Sequence, residues 1–104
     1  MKYLSPIVEQ VTKHYFGEES DWARNELQIF CEYLSEYISD KTTPESYERF
    51  CLAALKVGKS SKKKFIQAIE LGKWDYRDLL VAAGFGNSVT IHSEWAKKVS
   101  GTNT

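Results

Sequence analysis

The sequence is poor in the residues that metal centres and disulfide frameworks require. It has two cysteines, Cys31 and Cys51, and two histidines, His14 and His92, which are scattered singly along 104 residues. Zinc-binding domains keep their ligands in close pairs, so this spacing predicts no metal site. Both cysteines stand among apolar residues at helical spacing, which predicts two buried free thiols.

Long apolar runs are also missing. No stretch approaches the length of about 20 residues that a membrane-spanning helix needs. Near the N-terminus, Pro6 and Glu9 come too early for the apolar segment of a secretory signal peptide. We therefore expect a cytoplasmic protein with no membrane partner.

A nucleotide-binding loop is missing too, although one stretch comes close to it. Gly58, Lys59 and Ser60 match the end of such a loop. The loop also needs an earlier glycine and a strand that leads into it, whereas Ala53 holds the glycine position in a run that reads as a helix. The sequence predicts no cofactor, and it predicts Gly58 to be the left-handed residue that ends a helix.

Nothing in the sequence has the spacing of a catalytic site. No strained turn presents a nucleophile, and Ser60 and Ser61 have no histidine near them in the sequence. Asp75 and Asp78 are better explained as the cap and the first-turn acid of a helix. We expect a protein without enzymatic activity.

Apolar and aromatic residues at helical spacing are what the sequence does contain. Hydrophobic residues make up 42% of the chain and aromatic residues 13%, which is enough for one core in one domain, residues 1–104. The apolar positions recur at steps of three and four, and no alternating strand pattern is found. The sequence predicts an all-α fold, a compact single-domain bundle of five or six short helices.

Capping residues predict where these helices begin and end. The pairs Ser5-Pro6 and Thr43-Pro44 are typical of helix starts. Glycines are typical of helix ends, which are predicted at Gly17, Gly58, Gly72 and Gly84. The last predicted helix runs from Ser88 to about Val99. It is expected to bury Ile91, Trp95 and Val99.

The second predicted helix has a mixed outer face. Its predicted core stripe is Leu27, Phe30, Cys31, Leu34 and Ile38. The other side combines acidic and aromatic residues: Trp22, Glu26, Ile29, Glu32, Tyr33, Glu36 and Asp40. Two interpretations remain open. Either Trp22 and Ile29 pack under another helix, or the face is an exposed acidic-aromatic patch that binds a basic partner.

The charges balance in number but not in position. Residues 1–50 hold five basic and ten acidic residues, and residues 51–104 hold nine basic and four acidic ones. Three of the basic residues, Lys62, Lys63 and Lys64, fall in the first turn of a predicted helix, where the helix dipole favours acids. They are candidate contacts for an anion or a nucleic acid, and the alternatives are a solvated surface or a partner for the acidic helix.

Two stretches resemble one family of small helical proteins. They are "DWARNELQIFCEYLSEYISD", residues 21–40, and the Trp-rich "KWDYRDLLVAAGFGNSVTIHSEWAKK", residues 73–98. In size and style the chain is similar to the immunity proteins of contact-dependent growth inhibition systems in bacteria. The resemblance implies a non-catalytic protein that binds a cognate toxin domain, often a nuclease, and blocks its active site or substrate path. The mixed face of the second helix would then bind the toxin.

An alternative prediction is a small DNA-binding regulator that uses residues 65–98. The run "DLLVAAGFGNSVTIHSEW" loosely resembles the second and third helices of phage-repressor-type domains. The candidate recognition residues are Asn87, Thr90, His92 and Ser93. The early positions lack arginine and glutamine, which read base edges most often, while the three lysines could supply phosphate contacts.

Overall fold

The structure is a computed structural model that describes residues 4–37, 43–86 and 90–101. Within these ranges the chain forms helices and turns and no strand, which confirms the all-α prediction. A short 3-10 turn, Gly17–Glu19, precedes the second helix. The helices are α1 Pro6–Phe16, α2 Ser20–Tyr37, α3 Pro44–Gly58, α4 Lys62–Trp74, α5 Tyr76–Ala83 and α6 Ile91–Ser100. None of the described helices combines the length and the apolar character that crossing a membrane needs.

The helix starts follow the predicted capping residues. The Thr43 hydroxyl oxygen accepts a hydrogen bond from the Ser46 backbone N–H at 3.2 Å, and Pro44 follows at the first helical position. Ser5 caps α1 in the same way, before Pro6. Such caps satisfy backbone N–H groups that no turn of the helix can reach. Because a cap involves only neighbours in the chain, the sequence alone suffices to predict these boundaries.

Two glycines that were predicted to end helices lie at close contacts between helices. Gly58 is the buried last residue of α3, and Lys59 adopts the positive φ angle of 50° in its place. A Cβ atom at Gly58 would lie 2.4 Å from the Cα atom of Phe65. Gly72 lies inside α4, and its Cβ atom would lie 2.5 Å from the Phe30 ring. The predicted end of α3 at Gly58 is confirmed, but its predicted left-handed conformation was wrong because Lys59 adopts it. The predicted helix end at Gly72 was wrong, because α4 continues to Trp74. Both glycines allow neighbouring helices to approach closely.

The third helix is the centre of the bundle. Its residues 50–55 are buried without interruption, and α3 packs against every other helix described. Cys51 lies in this stretch, and its thiol and that of Cys31 are both free and buried, as predicted. A helical segment that is apolar on all sides, as residues 50–55 are, belongs in a core. The second helix instead packs on α1, α3 and α4 with one side only.

The last helix turns a different side to the core than the sequence predicts. It packs on α1 and α3 and buries His92 and Ala96, while Ile91 is exposed and Val99 is half-buried. Trp95 is also half-buried and stacks on the Tyr15 ring, with centroids 6.3 Å apart and planes 18° apart. The predicted burial of Ile91 was wrong, because α6 packs on the bundle through the side that carries His92 and the small Ala96.

Candidate protein-binding face on α2

The second helix separates an apolar inner side from a mixed outer side. Four of the five predicted core residues are buried, namely Leu27, Phe30, Cys31 and Leu34. Ile38, the fifth, lies outside the described residues, as does Asp40 of the predicted outer face. The predicted inner side of α2 is therefore confirmed wherever the structure describes it. The residues on the opposite side of the helix point away from the core.

The outer side exposes apolar surface between carboxylates. Ile29 has 44% of its surface exposed and Tyr37 has 71%. Glu32 and Glu36 are exposed beside them, and Glu26 is half-buried. Successive steps of three or four residues bring these side chains to one strip of the helix surface. We call the described part of this strip, residues 26, 29, 32, 33, 36 and 37, the acidic-aromatic face.

Two tyrosines form the aromatic end of this face. The rings of Tyr33 and Tyr37 lie 4.5 Å apart between centroids, with planes inclined by 33°. The ammonium of Lys73, from α4, lies 5.6 Å from the Tyr33 ring centroid. Tyr33 thus contacts a neighbouring ring and a cation, which are both favourable partners of an aromatic ring. Tyr37 rests on Tyr33 and directs most of its surface to solvent.

Trp22 differs from the rest of the predicted face. Its indole is half-buried and lies 5.8 Å from the ring centroids of both Phe16 and Phe65. The ammonium of Lys62 lies 5.0 Å from the Trp22 ring. This aromatic cluster joins the start of α2 to α1 and α4. The interpretation that Trp22 packs under other helices therefore describes its setting, whereas Ile29 stays exposed.

The three lysines of α4 have different settings. Lys62 forms an ion pair with Glu19, just before α2, in addition to its contact with Trp22. Lys63 and Lys64 are exposed, and the Lys64 backbone N–H donates a hydrogen bond to the Ser61 cap at 3.2 Å. One lysine thus matches the alternative of a partner for acids at the second helix. Nucleic-acid or anion binding by Lys63 and Lys64 stays a prediction.

Contacts at both ends show that α2 and α4 run in the same direction. The starts of the helices meet where Trp22 contacts Phe65, and the later turns meet where Phe30 approaches Gly72. Beyond that point, the last residue of α4, Trp74, has 87% of its surface exposed. The helical pattern of the sequence did not mark Trp74 as a surface residue. Its place directly before the capping residue Asp75 was the available signal.

A polar cleft of about 410 Å³ lies between α1 and the start of α2. In it, the Arg24 guanidinium donates to Glu9 at 2.9 Å and also binds Asp21. These contacts raise the pKa of Arg24, with the hydrogen bond to Glu9 as the main cause. The cleft is consistent with an electrostatic connection between helices.

The buried histidine of α6 bears on the DNA-binding alternative. His92 is only 4% exposed, and its Nε2 atom lies 3.7 Å from a carboxylate oxygen of Glu48. Burial lowers the pKa of His92, Glu48 raises it in part, and Arg49 lowers it further. A side chain buried in this way does not reach a base edge. The predicted role of His92 as a recognition residue was therefore wrong.

The helices around His92 also differ from the predicted DNA-binding arrangement. Helix α5 packs on α3 and α4, and α6 packs on α1 and α3. In the described part of the chain α5 and α6 do not pack on each other, as the two helices of such a motif must. Thr90 is exposed and Ser93 half-buried, and Asn87 lies outside the described residues.

Across residues 4–37, 43–86 and 90–101, metal-binding side chains do not gather in a group of three or more. Comparisons with protein-family models, with curated proteins and with solved structures gave no match. The resemblance to immunity proteins therefore rests on the two sequence stretches that suggested it, and stays a prediction. The acidic-aromatic face is the surface on which a functional proposal can be built.

Proposed function

We propose that this chain is a non-catalytic protein-binding module that neutralises a basic partner through the acidic-aromatic face. The observation that carries the proposal is the joint exposure of Ile29 and Tyr37 on one strip of α2, with the exposed Glu32 and Glu36 between them in the chain. Aromatic and aliphatic anchors surrounded by charge are the usual composition of an interface hot spot.

The setting of the two tyrosines supports an anchoring role. Tyr33 is already fixed by Tyr37 and by the Lys73 ammonium, so little conformational freedom is left to lose when a partner binds. Tyr37 presents a large, flat surface that a partner can cover. Trp22 contributes mainly to the cluster with Phe16 and Phe65, and it can offer a partner only the part of its ring that stays accessible.

The charges of the face support a basic partner. Glu32 and Glu36 are exposed, Glu26 is half-buried on the same strip, and Asp40 extends the series in the sequence. Such a series attracts lysine and arginine over a distance and speeds association. Proteins that bind nucleic acid are basic where they do so. A nuclease domain of a toxin, the partner that the resemblance implies, is therefore the class of partner we propose.

The test compares partner capture by the wild-type chain and by the variant Glu32→Lys/Glu36→Lys. Tagged protein is used to capture partners from native lysate that has been treated with nuclease, and the captured protein is then purified. We expect one basic protein in equal amount, with an affinity at least about tenfold lower for the variant. Adding one equivalent of the wild-type chain should also inhibit hydrolysis of nucleic acid by that partner.

The matched control is Asp78→Lys/Glu94→Lys, which makes the same change of charge at exposed acids on α5 and α6. This control should bind the partner like the wild type. Equal affinity of the wild type and the α2 variant would reject the face. Loss of all bound material after the nuclease treatment would reject the neutraliser and favour nucleic-acid binding by the chain.

A further inference from the structure

The core contains a pair of thiols that face each other across two helices. The Sγ atoms of Cys31, in α2, and Cys51, in α3, lie 3.3 Å apart. Both side chains are fully buried and free. The chain has no other cysteine. Neither the caps, nor the acidic-aromatic face, nor the packing of the core requires two sulfur atoms in contact.

Local packing explains why the two sulfur atoms meet. Cys51 shares one side of α3 with Ala54 and Gly58, at helical steps of three and four. On this side of α3, helix α4 approaches closely where Phe65 meets Gly58, and α2 also packs on α3. Cys31 lies between the buried Leu27 and Leu34, so α2 presents its thiol directly to α3.

We propose that Cys31 and Cys51 form an oxidation site, where a small oxidant of the peroxide class joins α2 to α3 by an intramolecular disulfide. A disulfide bond is about 2.05 Å long. The sulfur atoms at 3.3 Å therefore need to approach by about 1.3 Å. Small rotations of the two side chains, with a slight shift of the helices, can supply this distance.

The reaction balances with one peroxide for each pair of thiols. The first thiol, as its thiolate, attacks one oxygen of hydrogen peroxide, the O–O bond breaks, and a sulfenic acid and water are the products. The second thiol then attacks the sulfenic sulfur and displaces its hydroxyl group, which leaves as water after taking up a proton. Both sulfur atoms are oxidised, both peroxide oxygens are reduced to water, and one S–S bond forms.

The same burial makes the reaction slow. The pKa of the Cys51 thiol is raised well above its usual value, first by the hydrogen bond with Cys31 and then by burial. Because the thiolate is the nucleophile, a buried and protonated thiol reacts only when the chain opens briefly. Once formed, the disulfide is shielded from reducing agents by the same packing. The pair thus behaves as a slow oxidation site with a long-lived product.

The disulfide would stabilise the fold. It closes the chain between residues 31 and 51, which contains the connection from α2 to α3, and so restricts the unfolded chain. For a loop of this size in a domain of this length, the melting temperature should rise by about 15 °C. The cross-link also fixes the helix that carries the acidic-aromatic face to the central helix, whether or not that face binds a partner.

The experiment treats the folded full-length chain with hydrogen peroxide in native buffer. Trypsin then releases peptide 25–41 with Cys31 and peptide 50–56 with Cys51, because arginine or lysine precedes and ends each one. We expect the two peptides to be linked, no thiol to remain for alkylation in denaturant, and the melting temperature to rise. A reducing agent in denaturant should separate the peptides again.

The control variants are Cys31→Ala and Cys51→Ala, which each leave one thiol and should show no rise in melting temperature after peroxide. Two observations would overturn the proposal. One is a wild-type chain whose two thiols can still be alkylated after treatment, or whose peptides become linked only in urea. The other is loss of both thiols to higher oxides, or to links between chains, without the intramolecular pair of peptides.

Discussion

The central helix α3 and the outer face of α2 use similar residues in opposite settings. Both contain aromatic and aliphatic side chains, yet residues 50–55 of α3 are buried without a break, whereas α2 leaves Ile29 and Tyr37 exposed. Hydrophobic character alone therefore does not decide burial here. The difference depends on how many neighbours a helix has, because α3 packs against all the described helices and α2 against one side of the bundle.

The largest effect should come from removing matched aliphatic side chains in the two regions. Leu52→Ala in α3 is expected to lower the free energy of unfolding by about 2–5 kcal/mol, because it leaves a cavity in a packed core. Ile29→Ala on α2 is expected to change it by about 0.5 kcal/mol or less. Urea unfolding followed by circular dichroism measures both. Similar losses for the two variants would mean that α2 is covered by another part of the chain.

A smaller effect should come from adding one carbon atom at the contact of α3 with α4. Gly58→Ala would place a Cβ atom 2.4 Å from the Phe65 backbone, so the two helices must separate. We expect a loss of about 1–3 kcal/mol in the free energy of unfolding. The control is Ser35→Ala on the exposed side of α2, which introduces the same residue at a helical position. Stabilisation of Gly58→Ala would show that the helices are not held this closely.

The smallest of the three effects is a dependence of the free energy of unfolding on pH, and it arises from the charge of one side chain. Burial lowers the pKa of His92 in the folded chain, whereas in the unfolded chain this histidine has its ordinary pKa of about 6.5. Below about pH 6.5 the unfolded chain therefore binds more protons than the folded chain. The free energy of unfolding should therefore not depend on His92 above that pH. It should decline as the pH falls towards the pKa of His92 in the folded chain. His92→Gln should remove this decline, as measured by thermal unfolding at a series of pH values.

The other histidine provides the control for this measurement. His14 lies on the exposed side of α1, and His14→Gln should keep the pH dependence because His92 is still present. A decline that persists unchanged in His92→Gln would show that His92 is not its cause. The comparison thus separates the buried histidine from the exposed one.

Local signals were enough to predict much of this fold. Thr43 and Pro44 act on the turn that directly follows them, so the start of α3 was visible in the sequence. The core stripe of α2 was visible for a similar reason. With an uninterrupted period of three and four, Leu27, Phe30 and Leu34 can share only one side of a helix.

Long-range contacts explain the predictions that were wrong. Gly72 looks like a helix end in the sequence, and only the position of Phe30 in another helix reveals its role. Gly58 does end α3, but its close contact with Phe65 is equally invisible in the sequence. On α6, the larger apolar residues predicted one buried side, whereas the structure buries the side of Ala96. Which side is buried depends on the helices against which α6 packs. No local pattern contains that information.

The prediction of the outer face of α2 also combined residues that local periodicity places correctly with one whose surroundings depend on long-range contacts. The helical period predicted that Ile29 and Glu32 lie opposite the core, and both are exposed. It placed Trp22 on the same strip, but the aromatic cluster with Phe16 and Phe65 depends on two other parts of the chain. The helical period therefore predicts which residues share the strip. It does not predict which of them pack against other parts of the chain.

The three tryptophans have three different surroundings, so intrinsic tryptophan fluorescence can follow unfolding without an added label. Trp74 is open to water, whereas Trp22 lies at the junction of α1, α2 and α4, and Trp95 stacks against α1 near the other end of the chain. The fluorescence of Trp74 should hardly change on denaturation, so the signal comes from the other two. Chains that keep only Trp22 or only Trp95 would report separately on the two regions, and coincident transitions would establish that the bundle unfolds in a single step.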